Sequence, residues 1–248
     1  NAYNVAVGSN AGQNVTTGTS NTLIGGLAGD ALTDADLNTA VGYQALSSDT
    51  LGSRSTAMGQ GSLFSQNFTT ATDTYNTAYG FHSGLSITTG FQNVLLGGLA
   101  GDALTDADYN VAIGTGALGS DTLGSRSVAI GNGSLTAQNF TTATDAYNVA
   151  VGFNAGVSVT TGISNTFIGG VAGDLCTTGT GNTAVGTSAM TSATITGDDN
   201  TAVGVAAMAA ISSGSNNLAL GHDAARTGSP GGNITTHSNN ISLGDENI

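Results

Sequence analysis

NTAVGYQAL at residues 38–46 returns as NVAIGTGAL at 110–118 and as NTAVGTSAM at 182–190. The shared core, Asn-x-small-large-Gly, recurs with some variation fourteen times along the chain. The first three copies place their glycines at 8, 25 and 42, and most later copies keep this spacing of 17 residues. Self-similarity at a fixed short period indicates a solenoid, in which each repeat stacks on the one before it.

A longer period lies above the short one. Gly8, Gly80 and Gly152 are 72 residues apart, and LGGLAGDALTDAD at 96–108 reproduces IGGLAGDALTDAD at 24–36 with one difference. The fourth and eighth repeats each contain four additional residues, and we call the loops that hold them, 68–75 and 140–147, the insertions. The sequence therefore indicates that a block of four repeats was duplicated.

The residue types at each position of the repeat, numbered from its Asn, predict separate structural roles. Position 1 is Asn in twelve repeats and Ser in two, and stacked Asn side chains can hydrogen-bond along a solenoid. Position 4 is always large and apolar, as in Val41, Ile113 and Val185, and is predicted to form the buried spine. Position 5 is always Gly, which predicts a positive φ or a close backbone contact. Position 8 is Ala or Ser, and position 13 is mostly Thr.

A repeat of 17 residues is too short for a βαβ unit and lacks helical apolar spacing. Two short strands separated by Gly-rich corners fit this length. We therefore predict an all-β fold, a β-solenoid (β-roll or β-helix) of about fourteen rungs with a 17-residue period. Residues 1–237 would form the repeat shaft, and residues 238–248 a last partial rung.

Composition bears on assembly and on partners. The 248 residues include 39 Gly and no Trp, so a single rung has little bulky material for a core. Packing three chains together would add apolar burial, which predicts a homotrimer with positions 5 and 8 as the contact wall. The formal net charge of −13 repels phosphate backbones and anionic lipid. Neither nucleic acid binding nor membrane insertion is expected.

The NxAxG core, written NVAVG at 4–8 and 148–152 and NTAVG at 38–42, resembles the left-handed β-roll heads of trimeric autotransporter adhesins. It also resembles repeats of bacteriophage tail fibres, and the likeness extends over the whole chain. The adhesin heads use a shorter repeat than this chain. SNNISLGDENI at 238–248 resembles the stretch that precedes the self-cleaving chaperone domain of endosialidase-type tail fibres and tailspikes.

These resemblances imply a homotrimeric tail fibre segment in the virion, which presents loops to a host-surface glycan or protein and is not an enzyme. A bacterial adhesin head at the cell surface is the alternative. A polysaccharide-degrading tailspike would need paired carboxylates in one cleft, whereas the Asp residues here lie in repeated turns. An ice-binding solenoid is a further alternative because of the Thr at position 13.

The two insertions supply the candidate ligand-binding residues. Each combines aromatic side chains with a carboxylate, a combination that suits sugars, whose apolar faces stack on rings while their hydroxyls are hydrogen-bonded. The alternative is that the aromatic residues pin each insertion to its neighbours. The candidates are Phe68, Asp73 and Tyr75 in the first insertion and Phe140, Asp145 and Tyr147 in the second.

A repeated acidic turn supplies candidate metal ligands, because clustered carboxylates on a loop can hold Ca²⁺. The alternative is a set of solvated acidic turns, and the third copy keeps only Asp174. No other cofactor is expected. The candidate calcium ligands are Asp30, Asp34 and Asp36 in the first copy and Asp102, Asp106 and Asp108 in the second.

The remaining reactive side chains indicate structural roles. Cys176 stands where other repeats have Val, Leu or Ile, which predicts a buried thiol in the role of a small apolar residue. Asp49 and Asp121 each precede an Arg by five residues, Arg54 and Arg126, which predicts an ion pair across a corner or between chains. The three His residues have no partner at metal-ligand spacing.

Overall fold

The computed structural model describes residues 2–191, 194–226 and 234–244. The chain divides into two units, residues 1–125 with 141–144 (unit 1) and residues 126–140 with 145–248 (unit 2). Each unit is a β-solenoid built of parallel strands, and the described residues include no helix. The predicted all-β solenoid with a 17-residue period is confirmed.

Unit 1 contributes one three-residue strand from each repeat and a few two-residue strands at the corners. Its strands are β1 (Val5–Val7), β2 (Thr22–Ile24), β3 (Thr39–Val41), β4 (Gly52–Ser53), β5 (Thr56–Met58), β6 (Thr72–Asp73), β7 (Thr77–Tyr79), β8 (Val94–Leu96), β9 (Val111–Ile113) and β10 (Gly124–Ser125).

Unit 2 follows the same plan, and β12 begins at the last residue of the 141–144 segment. The strands from this point of the chain are β11 (Val128–Ile130), β12 (Thr144–Asp145), β13 (Val149–Val151), β14 (Thr166–Ile168), β15 (Thr183–Val185), β16 (Thr201–Val203), β17 (Leu218–Leu220) and β18 (Ile241–Leu243). Strand β18 belongs to the predicted partial rung 238–248, whose residues 245–248 lie outside the described part of the chain.

The strands pair in parallel with the register that the repeat predicts. Leu23 of β2 lies beside Ala6 of β1 and Ala40 of β3, so equivalent positions of successive repeats are neighbours. Most repeats form one strand, however, and not the two that were predicted. On the other side of the rung, single backbone bonds such as Thr16 N–H to Thr33 C=O (3.0 Å) join the turns.

The Asn residues at position 1 form the predicted ladder, and most of them are fully buried. The backbone N–H of Asn38 donates to Oδ1 of Asn21 at 2.9 Å, and Nδ2 of Asn38 donates to the carbonyl of Gly52 at 2.9 Å. One bond joins two turns, and the other closes the corner of its own turn. Asn suits this position because its side chain has both a donor and an acceptor.

Glycine at position 5 meets both predicted requirements. Gly25 and Gly42 have φ of 136° and 138°, a region that side chains disfavour. A Cβ on Gly25 would also stand 2.4 Å from the carbonyl oxygen of Gly42 in the next turn. No larger residue fits between two backbones at this distance.

The predicted buried spine at position 4 is wrong, because the interior line is position 3. Ala40, Ala112 and Ala184 at position 3 are fully buried, whereas Val41 and Ile113 at position 4 are half-buried on the outer face of the sheet. Successive side chains of a strand point to opposite faces, so only one of the two positions can face the core. The larger side chain lies outside because the interior of a 17-residue turn has little room.

Position 8 is buried inside the turn, as Ala28, Ala45 and Ala100 show, and position 5 abuts the same chain. The prediction that these two positions form the wall between chains is therefore wrong. Their small size serves the packing of one turn on the next within a single chain.

The large side chain that fills the core stands at position 3 in some turns and at position 9 in others. Where position 3 holds a large side chain, as Leu95 does, position 9 is Gly101, and a Cβ there would come within 2.8 Å of Leu95 Cδ2. Where position 3 is Ala202, position 9 is the buried Met208. In each of these turns one of the two positions supplies a large side chain, which packs with the buried residue at position 12, Leu104 or Ile211. This arrangement is in keeping with the close packing of protein interiors.

This exchange can be tested with a double variant. Leu95→Ala leaves a cavity and should cost about 2–5 kcal/mol, and Gly101→Met overfills the turn at a cost of about 1–3 kcal/mol. The two changes together reproduce the pairing of Ala202 with Met208, so the double variant should recover most of the lost stability. Chemical unfolding at fixed protein concentration measures this coupling. Additive losses in the double variant would contradict the exchange.

Candidate functional site

The first insertion returns the chain to the corner where Arg54 lies. Strand β6 pairs in parallel with β4, placing Asp73 beside Ser53, the residue before Arg54. Arg54 and Tyr75 both stand immediately before position 1 of a repeat, and both adopt the left-handed conformation, with φ of 65° and 51°. The insertion therefore groups a cation, a carboxylate and an aromatic ring on one corner.

The three side chains contact one another at the surface. Arg54 Nε lies 2.9 Å from Asp73 Oδ1, and the Tyr75 hydroxyl lies 3.4 Å from Asp73 Oδ2. The Arg54 guanidinium carbon is 5.9 Å from the centre of the Tyr75 ring, within cation–π range. The hydrogen bond and the charge of Asp73 raise the pKa of Arg54 above its ordinary value. Tyr75 remains 51% exposed, so its ring is accessible to a ligand.

The second insertion repeats this arrangement within unit 2. Arg126 Nε lies 2.9 Å from Asp145 Oδ1, and the Tyr147 hydroxyl lies 3.3 Å from Asp145 Oδ2. Tyr147 is 53% exposed. The candidates Asp73, Tyr75, Asp145 and Tyr147 thus lie in two equivalent clusters, each with an Arg that sequence reasoning had not assigned to a ligand site.

The two candidate phenylalanines belong to the core and not to a ligand surface. Phe68 is only 7% exposed, and Phe140 is similarly buried. The backbone of Phe68 is held by Asp49, whose Oδ1 accepts its N–H at 3.0 Å, and by Leu51, whose N–H donates to its carbonyl at 3.1 Å. For Phe68 and Phe140 the structure therefore supports the alternative, in which the aromatic ring anchors the insertion.

The predicted ion pair between Asp49 and Arg54 is wrong. Asp49 is fully buried, and its carboxylate accepts hydrogen bonds from the backbone N–H of Gly52 and Phe68 and from Nε2 of Gln66. Arg54 pairs with Asp73 instead. Asp121, the equivalent of Asp49, is also buried and accepts the N–H of Gly124 at 3.1 Å.

The different environments of Asp49 and Asp73 predict different costs for the same substitution. Asp49→Asn places an amide donor against buried N–H groups and should lower the free energy of unfolding by about 1–3 kcal/mol. Asp73→Asn removes an exposed ion pair and should lower the free energy of unfolding much less. Thermal and chemical unfolding of the two variants measure the difference. Equal losses would show that Asp49 does not organise the insertion.

The candidate calcium ligands do not converge on one point. Ser47 Oγ donates to Asp30, Thr17 Oγ1 to Asp34 and the backbone N–H of Thr19 to Asp36. Each partner lies in a turn adjacent to that of its carboxylate, so each carboxylate supports stacking. In the second copy, Asp106 accepts from Thr89 Oγ1 and Asp108 from the N–H of Phe91. Within the described residues, no group of three His, Cys, Asp or Glu could hold a metal ion.

Two carboxylates at position 10 carry a desolvation cost. Burial raises the pKa of Asp102, although the neighbouring His82 lowers it in part. Burial also raises the pKa of Asp174, and backbone hydrogen bonds from Leu175 and from Asp174 itself offset part of this effect. Oδ1 of Asp174 is shielded from solvent and makes no hydrogen bond.

The raised pKa of Asp174 gives a pH-dependent prediction. A carboxyl group whose pKa is higher in the folded state destabilises the fold as the pH rises through its unfolded and then its folded pKa. Asp174→Asn should therefore melt higher than the wild type at pH 7, and the advantage should vanish near pH 3. Calorimetry across this range measures it.

Asp30→Asn is the matched control, because Asp30 occupies the same repeat position and accepts a hydrogen bond from Ser47. It should show no such gain. A constant difference between Asp174→Asn and wild type at all pH values would contradict the account.

Cys176 and the Thr side chains at position 13 have structural roles. Cys176 is fully buried, and burial raises the pKa of its thiol to about 12, so the predicted role as a small apolar residue is confirmed. Thr33 Oγ1 donates to the carbonyl of Thr50, and Thr105 Oγ1 to that of Thr122. These hydroxyls join turns, which disfavours a face organised to bind ice.

The outer face of the sheet is a second candidate surface that sequence reasoning missed. In unit 1, Ile24 is 39% exposed and Tyr79 is 57% exposed, and the other position 4 side chains beyond β1 are half-buried in the same row. In unit 2, Ile168 is 40% exposed in the equivalent row. The size of the position 4 side chains could have indicated this surface, because it exceeds what the interior accommodates.

Comparison with protein-family models, curated proteins and solved structures gave no match. The described part of the chain contains no helix of the length and hydrophobicity needed to cross a membrane.

Proposed function

We propose that the chain is a structural and adhesive segment of a homotrimeric fibre, whose exposed corners contact a glycan or protein on a host surface. The observation that carries the proposal is the row of large apolar side chains on the outer face of the sheet in each unit. A solenoid of stacked turns, as in each unit, suits a role in which binding groups are held away from their carrier.

The apolar row supports assembly because it is continuous. Neighbouring position 4 side chains, such as Ile24, Val41 and Met58, are partners in adjacent strands about 4.8 Å apart. Soluble monomers rarely expose contiguous apolar patches larger than a few hundred Å². Burial of the row against other copies would contribute about 25 cal/mol for each Å² of apolar surface removed from water.

A trimer with cyclic symmetry would bury the same row in every copy. Three copies would also present each Arg–Asp–Tyr corner three times, so that weak single contacts combine into strong attachment. The resemblance of the NxAxG repeats to tail fibres favours the virion as the carrier. The carboxylates of the repeated turns are engaged in stacking contacts, and this supports a binding role over catalysis.

The assembly is tested by placing charges on the apolar row. Ile24→Glu combined with Ile168→Glu should convert a trimer into monomers, because three copies of each carboxylate would be forced together. Both side chains are already partly exposed, so the turns themselves should still form. Light scattering coupled to size-exclusion chromatography measures the mass, and circular dichroism checks the strand content.

Thr70→Glu combined with Thr142→Glu is the matched control, because both threonines are exposed on the insertions. This variant should remain trimeric. A wild-type protein that is monomeric at micromolar concentration would refute the proposal, and so would a trimer that tolerates charges at Ile24 and Ile168.

A further inference from the structure

We infer that the corner ridge of unit 1 binds an extended, uncharged carbohydrate chain. The corner ridge is the set of residues that immediately precede position 1 in successive turns, from Leu37 through Arg54, Tyr75 and Gln92 to Tyr109. The inference rests on the proposed adhesive function and specifies its ligand and its surface.

The ridge is regular because the same backbone bond recurs along it. The N–H of Leu37 donates to the carbonyl of Thr19 at 3.0 Å, and the N–H of Arg54 donates to that of Asp36 at 3.0 Å. Gln92 and Tyr109 make the same bond, to Thr74 and Phe91. Side chains in successive turns of the ridge stand about one interstrand spacing, roughly 4.8 Å, apart. Tyr75 and Tyr109, two turns apart, lie at roughly twice that distance.

Tyrosine is an unexpected residue at this corner. Every ridge residue has a positive φ, which bulky side chains disfavour and which Gly and Asn adopt readily. The equivalent position in unit 2 holds Gly181, Asn216 and Asn239 in later turns. Tyr75 and Tyr147 are about half exposed, so packing against the protein does not explain their presence. A strained and exposed residue of this kind points to function.

The chemistry of the ridge matches a sugar chain. Tyrosine rings offer flat apolar faces on which the apolar face of a pyranose can stack, and their hydroxyls can hydrogen-bond. Between Tyr75 and Tyr109 lies Gln92, whose amide supplies both donors and an acceptor. Beside Tyr75, Arg54 adds N–H donors and Asp73 adds carboxylate acceptors, and Arg54 Nε lies 2.9 Å from Asp73 Oδ1.

The same ridge position borders a groove in unit 2. Asp199, Asn216 and Asn239 line one side of this groove, whose volume is about 360 Å³, and Leu218 and Ile241 contribute apolar surface to it. Carboxylate and amide groups beside apolar carbons form the combination that binds sugars in proteins. The groove is thus a second observation, in unit 2, that favours carbohydrate recognition at this position of the repeat.

Charge selects the uncharged class of carbohydrate. Asp73 neutralises the cation of the unit 1 ridge, Arg54, and the chain as a whole carries a formal charge of −13. An anionic polysaccharide would meet repulsion from the surrounding surface without an unpaired Arg on the ridge to offset it. An uncharged chain meets no such penalty.

The test measures binding of cellohexaose, maltohexaose and chitohexaose by isothermal titration calorimetry, with hyaluronan and heparin as anionic probes. The test variant combines Tyr75→Asn with Tyr109→Asn, which removes both rings of the ridge. Asn occupies the ridge position at Asn216 and Asn239, so the variant should melt at the wild-type temperature or above it. Tyr43→Asn is the control, because Tyr43 is an equally exposed tyrosine that lies off the ridge.

We expect at least one uncharged hexasaccharide to bind, the double variant to weaken that binding about tenfold or more, and Tyr43→Asn to leave it unchanged. Tighter binding of hyaluronan or heparin would overturn the inference, as would wild-type affinity in the double variant. Absence of binding to all three hexasaccharides by a protein that light scattering shows to be trimeric would overturn it too, while the fibre proposal would stand. A monomer that binds a hexasaccharide through Tyr75 and Tyr109 would support the inference and refute the trimer proposal.

Discussion

The structure depends first on the buried Asn at position 1 of each turn. Its Oδ1 accepts the backbone N–H of the equivalent residue in the next turn, and its Nδ2 donates to the corner carbonyl of its own turn, as Asn21 and Asn38 illustrate. Each bond contributes about 1 kcal/mol net, but leaving a buried donor or acceptor unpaired would cost about 1–3 kcal/mol. A shift of one residue in register would unpair the whole ladder, so this side chain fixes both the closure of each turn and the alignment of the stack.

Ser replaces Asn at position 1 in two turns, at Ser55 and Ser127, and these are the turns that contain the insertions. Ser55 is too short to reach the corner, and Gln66 takes over by donating to Ser55 Oγ and to the Asp49 carboxylate, while its Oε1 accepts from Asn76. This network lies in the turn that contains the four additional residues. The insertion then pairs β6 with β4 and brings Asp73 and Tyr75 to Arg54. The buried polar network and the exposed Arg–Asp–Tyr cluster thus occur together at the same insertion.

A thin interior explains the surface as well. Where position 3 is large, as with Leu95, position 9 is Gly, and where position 9 is large, as with Met208, position 3 is Ala. Large apolar residues in excess of that volume can lie only on the outer face, where position 4 carries them. These outer apolar side chains form the row that we propose to be buried between copies. The small interior of one chain would therefore favour the assembly of several chains.

The sequence by itself determined the period, the parallel register, the Asn ladder and the Gly at position 5, because each of these is a local requirement repeated many times. It also predicted that Asp73, Tyr75, Asp145 and Tyr147 belong to a candidate site. Only the tertiary structure decided which face of each three-residue strand is inside, since alternation gives two possibilities and residue size favoured the wrong one. It alone placed Phe68 in the core and paired Arg54 with Asp73 instead of Asp49. Those contacts join residues 19 apart across an insertion, and their geometry depends on how one turn stacks on another.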